Sequence, residues 1–254
     1  MNKYLTDLNG KNILITGASR GIGKECAIAA NRLGANVCLV ARNMEKIKKT
    51  LDIIEKEKSC YYAVDVTDYL QVEDVVNVFV EKFGRIDGFI HSAGFEESVP
   101  LQVISSENYE KLFATNVIAG FEFAKVISKK RFLNPNGASF VFIASVMGIV
   151  GQAAKIGYCA SKGALIAGAR AMAVELAKKK IRVNCVSPGM VETEIAENIF
   201  KMISEEQKRA VVLGHPLGIG SPEDVAGLCS FLLSDQAKWI TGTNIIIDGG
   251  YSAV

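Results

Sequence analysis

Tyr158 and Lys162 stand four residues apart in Tyr158-Cys159-Ala160-Ser161-Lys162, inside a Gly/Ala-rich stretch of helical character. That spacing puts the phenol and the ammonium on one helical face. A lysine charge ~5 Å away, at an effective dielectric near 20, is worth about 3 kcal/mol, or roughly two pKa units, enough to bring a tyrosine from about 10 toward neutrality. A phenol softened in this way is a general acid for a carbonyl oxygen that receives hydride. Ser145, thirteen residues upstream in Phe142-Ile143-Ala144-Ser145, places a hydroxyl at the end of an expected central strand. In open parallel sheets that is the end where sites form.

A second cluster lies near the N-terminus. Asn12-Ile13-Leu14-Ile15-Thr16 runs into Gly17-Ala18-Ser19-Arg20-Gly21-Ile22-Gly23, and a helical pattern follows at once. A strand, a glycine turn and a helix N-terminus form a cradle for a pyrophosphate, because backbone N–H groups point outward and glycine lets the anion approach. The same stretch reads as G-x-S-x-G, with Ser19 as the nucleophile of a serine hydrolase. That alternative needs a histidine base, and the chain has two, His91 at the end of an apolar strand and His215 before Pro216. Where the second strand ends, at Val40-Ala41-Arg42-Asn43, a dinucleotide fold carries its choice between NAD and NADP. Arg42 and Arg20 together offer two guanidinium groups for a 2′-phosphate, so NADP(H) is expected over NAD(H). Glu45 falls within the following helix and reads as a solvated surface residue.

These groups need a scaffold, and the hydropathy pattern supplies one. Short apolar runs at 12–16, 36–41, 60–64, 88–92, 139–144, 182–186 and 244–247 read as strands. Between them 21–33, 44–57, 69–83, 107–130, 158–179 and 222–233 have helical periodicity, with another helical stretch around 191–212. Apolar strands alternating with helices imply an α/β fold, a single doubly wound parallel sheet of about seven strands with helices on both faces. No repeat or Pro/Ser-rich linker divides residues 1–254, so one domain is expected, with 190–214 as a flap over the site.

Composition narrows the function classes. The chain has 254 residues, 49% hydrophobic and 22% charged, which supports a full core without metal or disulfide staples. Lys plus Arg number 29 against 27 Asp plus Glu, so nothing argues for nucleic acid or an anionic membrane as a partner. The six cysteines are scattered singly and only two histidines occur, which excludes the usual zinc ligand sets; no metal is expected. Residues 1–10 lack the apolar run of a secretory signal, and no membrane span is visible. A cytoplasmic protein with reduced thiols is expected.

The glycine loop, Ser145, Tyr158 and Lys162, in this order, resemble the short-chain dehydrogenase/reductase family, and the resemblance covers almost the whole chain. It implies a Rossmann fold in which Tyr158 is the acid/base, Ser145 hydrogen-bonds the substrate oxygen, and Lys162 binds the nicotinamide ribose while acidifying the tyrosine. It also implies that Asn116, in Leu112-Phe113-Ala114-Thr115-Asn116-Val117, completes a water-linked proton relay. Asp65, in Val64-Asp65-Val66, is similar to the residue that contacts adenine. Ser92-Ala93-Gly94 resembles an Asn-Ala-Gly element lining the cofactor cleft, with serine in place of asparagine. Pro188-Gly189 with Thr193 resembles the nicotinamide clamp, and Asp248-Gly249-Gly250 the family's C-terminal turn.

The expected activity is therefore NADP-dependent reduction of a ketone, or oxidation of a secondary alcohol. A serine hydrolase and a non-catalytic NADP-binding regulator are the alternatives. Phe95, Met147, Val150, Met190, Ile195, Phe200 and Met202 are expected in the cleft, suggesting an apolar or mid-sized ketone. The loop chemistry is similar to that of 3-oxoacyl-(acyl-carrier-protein) reductases. Lys129-Lys130-Arg131 and Lys178-Lys179-Lys180 would then dock an acidic acyl carrier protein, or simply meet helix dipoles at C-termini. The family likeness implies a homotetramer, a dimer of dimers. Ala164, Ala167, Gly168 and Ala171 form a small-residue stripe that suits either close helix pairing or packing on the chain's own sheet.

Overall fold

A computed structural model describes residues 6–253; of residues 1–10, read as lacking a secretory signal, the first five lie outside the described part. Strands β1 (Asn12–Thr16), β2 (Asn36–Ala41), β3 (Ser59–Ala63), β4 (Gly88–His91), β5 (Ala138–Ile143), β6 (Ile181–Pro188) and β7 (Asn244–Ile247) form one parallel sheet in the order β3-β2-β1-β4-β5-β6-β7. The inner strands are buried along nearly their whole length, which is why they read as continuous apolar runs. The edge strands β3 and β7 are only partly buried. The order of strands reverses between β1 and β4, and their carboxyl ends open the crevice where such sheets bind ligands.

Alternation along each strand assigns the two faces. Ile13 and Ile15 pack with Cys26, Ala27 and Ala30 of α1 (Gly21–Arg32), Ile47 of α2 (Met44–Leu51) and Val225 and Leu232 of α9 (Pro222–Leu233). Leu14, Phe89, Phe140 and Phe142 pack the other way. They meet Val75 and Phe79 of α3 (Val72–Phe83), Phe123 of α5 (Ala119–Ile127) and Leu165 and Ala169 of α6 (Ile156–Leu176). Each face thus has its own core, and the sheet is the layer they share.

Three helices differ from their sequence expectation. The expected helix over 44–57 ends at Leu51 as α2, and Lys56–Lys58 form a separate 3₁₀ turn. The expected helix over 107–130 is α4 (Ser106–Phe113) and α5 joined by a π turn over Ala114–Ile118. A π turn is a single-turn insertion, too short for the hydropathy pattern over 107–130 to separate from an ordinary helix. The stretch after Pro188-Gly189 splits into α7 (Glu194–Met202), capped by Thr193, and α8 (Glu205–Leu213), whose capping box pairs Ser204 with Gln207. Among the described residues no helix is long and apolar enough to cross a membrane, and no cluster of His, Cys, Asp and Glu could hold a metal ion.

Candidate active site

The loops after β1, β4, β5 and β6 enclose one cleft of about 1140 Å³. Of the catalytic and cofactor-binding residues expected from the sequence, all but Gly23 and Asn116 line it, including Ile22 and Val66. Gly23 supports the glycine loop from behind: a Cβ there would lie 2.4 Å from the carbonyl oxygen of Gly17. Gly17 has φ +71, and a Cβ on it would meet Ser92 and Ala93 backbone at 2.7 Å. The loop after β1 and the loop after β4 can therefore touch only through glycine.

The cradle suits a dinucleotide phosphate. Helix α1 is entered through Arg20, whose side chain makes no cap, and its first turn holds no acidic residue. Its leading amides are thus left to an anion. Around the end of β2 the cations are already engaged. Arg20 Nη1 donates to Glu194 Oε2 at 3.1 Å, Lys46 Nζ reaches both oxygens of Glu194 at 2.8 and 2.9 Å, and Arg42 Nη1 is 3.5 Å from Asp65 Oδ2. The bonds from Lys46 and Arg20 hold the Glu194 carboxyl below its usual range. Partial burial works to raise Asp65, but hydrogen bonds from Thr67 and the Arg42 charge outweigh it and leave this carboxyl below its ordinary value. Glu45 is exposed, as expected, and does not line the cleft. Lys46, which the sequence pattern does not single out, stands on the first turn of α2 and also lines the cleft.

Deeper in the cleft Ser145, Tyr158 and Lys162 come together from β5's end and α6. The Ser145 hydroxyl sits close enough to the phenol to favour its ionised form, but burial dominates and pushes Tyr158 up to about 12. The expected softening toward neutrality is absent from this structure. Lys162 Nζ donates to the Ile143 carbonyl oxygen at 2.8 Å and lies 5.7 Å from the centre of the Tyr158 ring, and burial lowers this amine to about 8. An ammonium bonded to backbone and partly discharged by desolvation stabilises a phenolate poorly.

Asn116 lies one layer behind the cleft, fully buried in the π turn. Its Oδ1 accepts from the Phe95 amide at 3.0 Å, and its Nδ2 donates to the Phe95 carbonyl at 3.1 Å and to Ser161 Oγ at 3.0 Å. Ser161 in turn donates to the Tyr158 carbonyl at 2.8 Å. Asn116 therefore ties the loop after Gly94 to the helix that carries Tyr158 and Lys162.

The Ser92 hydroxyl makes no hydrogen bond to a described residue; the loop is held by the Ser92 amide, which donates to Thr16 O at 3.2 Å, and by Thr16 and His91 side chains. The Ala93 amide donates to Thr16 Oγ1 at 3.4 Å, and Thr16 Oγ1 lies 2.9 Å from His91 Nδ1. His91 Nε2 faces the Thr115 carbonyl at 3.2 Å. A carbonyl only accepts, so Nε2 carries the proton and Nδ1 takes the threonine hydroxyl's. Burial, with the Lys162 charge second, lowers His91 to about 3, which keeps it neutral. Gly120 admits the ring, since a Cβ there would lie 2.7 Å from His91 Cδ2.

His215 is likewise structural. Its Nδ1 donates to Val211 O at 2.7 Å, its Nε2 accepts from the Met190 amide at 3.1 Å, and its ring stacks on Tyr251. It thereby ties the two ends of the 190–214 segment together. Neither histidine hydrogen-bonds Ser19, so the hydrolase constellation does not form. Gly189 packs against Asp248, whose carboxylate accepts from Gly250 N, Ser252 N and Ser252 Oγ, and the Thr193 methyl closes over Gly21.

The expected apolar lining is only partly present. Phe95, Met147, Met190 and Ile195 face the cleft, whereas Val150, Phe200 and Met202 do not. Glu96 and Lys155 do, although neither was expected there.

Comparison with known proteins identifies the family. Residues 17–252 match the sequence family described as enoyl-(acyl carrier protein) reductase. The chain is 33% identical over 247 residues to the 3-oxoacyl-(acyl-carrier-protein) reductase FabG of Rickettsia felis, covering 97% of this chain and 98% of that protein. It is 31% identical over 251 residues to the sorbitol dehydrogenase of Cereibacter sphaeroides, covering 96% and 98%. A crystal structure of a putative short-chain alcohol dehydrogenase from Sinorhizobium meliloti superposes with a TM-score of 0.91 at 33% identity, over 98% of both chains. Shared fold and end-to-end similarity lead to one assignment: the chain belongs to the short-chain dehydrogenase/reductase family, NAD(P)-dependent oxidoreductases acting on CH–OH and C=O groups.

Proposed function

We propose that this chain reduces a ketone with NADPH, with Tyr158 as the proton donor. The observation that carries the reading is the convergence of Ser145, Tyr158 and Lys162 on the same cleft as the uncapped N-terminus of α1. Gly17, Ser19, Gly21 and Ile22 would hold the pyrophosphate, Asp65 and Val66 the adenine side, and Ala93, Gly94, Pro188, Gly189 and Thr193 the nicotinamide side. When bound, the nicotinamide supplies hydride to the carbonyl carbon. Tyr158 gives its proton to the carbonyl oxygen as negative charge grows there, and Ser145 donates a hydrogen bond to the same oxygen. A phenol that stays protonated far above neutral pH is loaded for reduction. Lys162 holds the ribose, and Asn116 fixes the loop and helix between which the proton is replaced.

Arg20, Arg42 and Lys46 support the choice of NADP, since no carboxylate closes the end of β2 to take ribose hydroxyls. Glu194 stands where a phosphate would compete for two of these cations, and the 190–214 segment that carries it would act as the covering flap. The chain would work as one domain in a reducing cytoplasm, with its six cysteines free. Ala167, Ala171 and Val174 lie exposed along α6, which supports helix pairing between protomers of a tetramer. The relatives' names bring two substrate classes, a 3-oxoacyl thioester and a sugar alcohol. Docking of a carrier protein finds less support in the basic runs: Lys129 and Arg131 both pair with Glu73, and Lys179 donates to Ser128 O.

Following NADPH and NADH absorbance with a panel of ketones tests the reading. Oxidation of NADPH at ten or more times the kcat/KM of NADH is expected. Binding of neither nucleotide, or binding without turnover of any ketone, would refute it.

A further inference from the structure

The substrate end of the cleft contains a shielded ion pair that the proposed chemistry does not use. Lys155 Nζ lies 3.1 Å from Glu96 Oε1, and the two side chains are 11% and 9% exposed. Both line the cleft with Ser98 and Gln152. Ser98 Oγ donates to the same Oε1 at 2.6 Å, while Oε2 takes no hydrogen bond from a described residue. The pair is rigidly mounted. The Val99 amide donates to Ala154 O at 2.7 Å, and Ala154 holds a left-handed φ of 64, so the loops bearing Glu96 and Lys155 are pinned to each other. The pair lines the same cleft as Tyr158, and the Glu96 charge works to raise that phenol.

The structure assigns Glu96 and Lys155 to recognition of a hydroxyl group carried next to the substrate's carbonyl, making the substrate a hydroxyketone or, in reverse, a polyol. A paired carboxylate and ammonium offer an acceptor and a donor side by side. A hydroxyl satisfies both, because its O–H donates to Glu96 while its lone pair accepts from Lys155. The competing chemistries satisfy one partner or neither. A carboxylate would be repelled by Glu96. A 3-oxoacyl thioester brings a second carbonyl for Lys155 but no donor for Glu96. A plain alkyl chain would strip water from both charges and return nothing. Sites built to hydrogen-bond a hydroxyl reject the analogue lacking it far more strongly than apolar pockets reject an added methylene.

This inference rests on the ketone-reductase reading, and the test separates the two. Wild type and the double variant Glu96→Met with Lys155→Met are assayed with NADPH on dihydroxyacetone and erythrulose, on acetone and butanone, and on an acetoacetyl thioester of N-acetylcysteamine. Replacing both partners of a buried pair by apolar groups commonly preserves the fold, and NADPH binding and circular dichroism verify that it has. Wild type is expected to prefer the hydroxyketones to their deoxy counterparts by about a hundredfold or more in kcat/KM. In the double variant that ratio is expected to fall toward one. Equal activity on hydroxylated and deoxy ketones, a preference for the thioester, or an unchanged ratio in the double variant would overturn the role of the pair while leaving the reductase intact. No turnover of any of the five compounds would overturn both.

Discussion

The inner and outer ends of the cleft are held together differently. At the inner end Asn116, Lys162, His91 and Thr16 are buried and bonded to main-chain atoms of Phe95, Ile143, Thr115 and Ala93. At the outer end Arg20 and Lys46 pair with Glu194, and Arg42 with Asp65, while all five remain 41–73% exposed. Buried bonds to backbone have one solution and cost dearly when broken, whereas exposed ion pairs exchange partners at little cost. The inner end is thus built to fix geometry, and the outer end to trade one anion for another.

The largest effect should come from the inner end. Lys162→Met is expected to lose at least about a thousandfold in kcat/KM, because proton supply and ribose binding fail together; steady-state kinetics check it. The same variant should be more stable than wild type. In the folded chain burial lowers Lys162 to about 8 from an ordinary 10.5, so below pH 8 the native state bears a charge that the unfolded chain holds more easily. The margin should be on the order of 3 kcal/mol at pH 7 and vanish above about pH 10.5, as urea titrations at the two pH values would reveal. A variant less stable at pH 7 would show that the bond to Ile143 O outweighs the desolvation.

His91→Ala removes the partner of both Thr16 Oγ1 and the Thr115 carbonyl and opens a cavity against Gly120. A loss of about 3 kcal/mol, or about 6–12 °C in Tm by calorimetry, is expected. At the outer end the effects should be smaller and selective. Arg42→Ala is expected to weaken NADPH about tenfold with NADH little changed. Glu194→Gln should tighten NADPH by a few-fold, since a competing carboxylate leaves Arg20 and Lys46; isothermal titration measures both. Equal changes for the two nucleotides would erase the contrast between the ends.

Sequence reading located the inner sheet well, because parallel strands buried on both faces must be continuously apolar; β1 and β2 match their expected limits, as does the edge strand β7. It also pointed to Ser145, Tyr158 and Lys162, which the structure brings to one cleft and whose spacing on one helix and one strand end is a local property. What escaped it was set by contacts distant in the chain. Glu194 meets Lys46 across 148 residues and Lys155 meets Glu96 across a loop pair, so no local pattern signals either. The two histidines were weighed as catalytic bases because their type suggests it, yet Thr16 and Val211 engage them. The phenol's acidity was misjudged for a related reason. A helical spacing fixes how near the lysine can come, but not the burial that Tyr158 and Lys162 share.

Tyr158→Phe, examined for NADPH affinity and for single-turnover reduction of a ketone that wild type accepts, bears most directly on the division between the two ends. The expected result is an NADPH Kd within about twofold of wild type and hydride transfer slowed at least about a thousandfold. Hydride transfer within about tenfold of wild type would contradict the assignment of the proton to Tyr158.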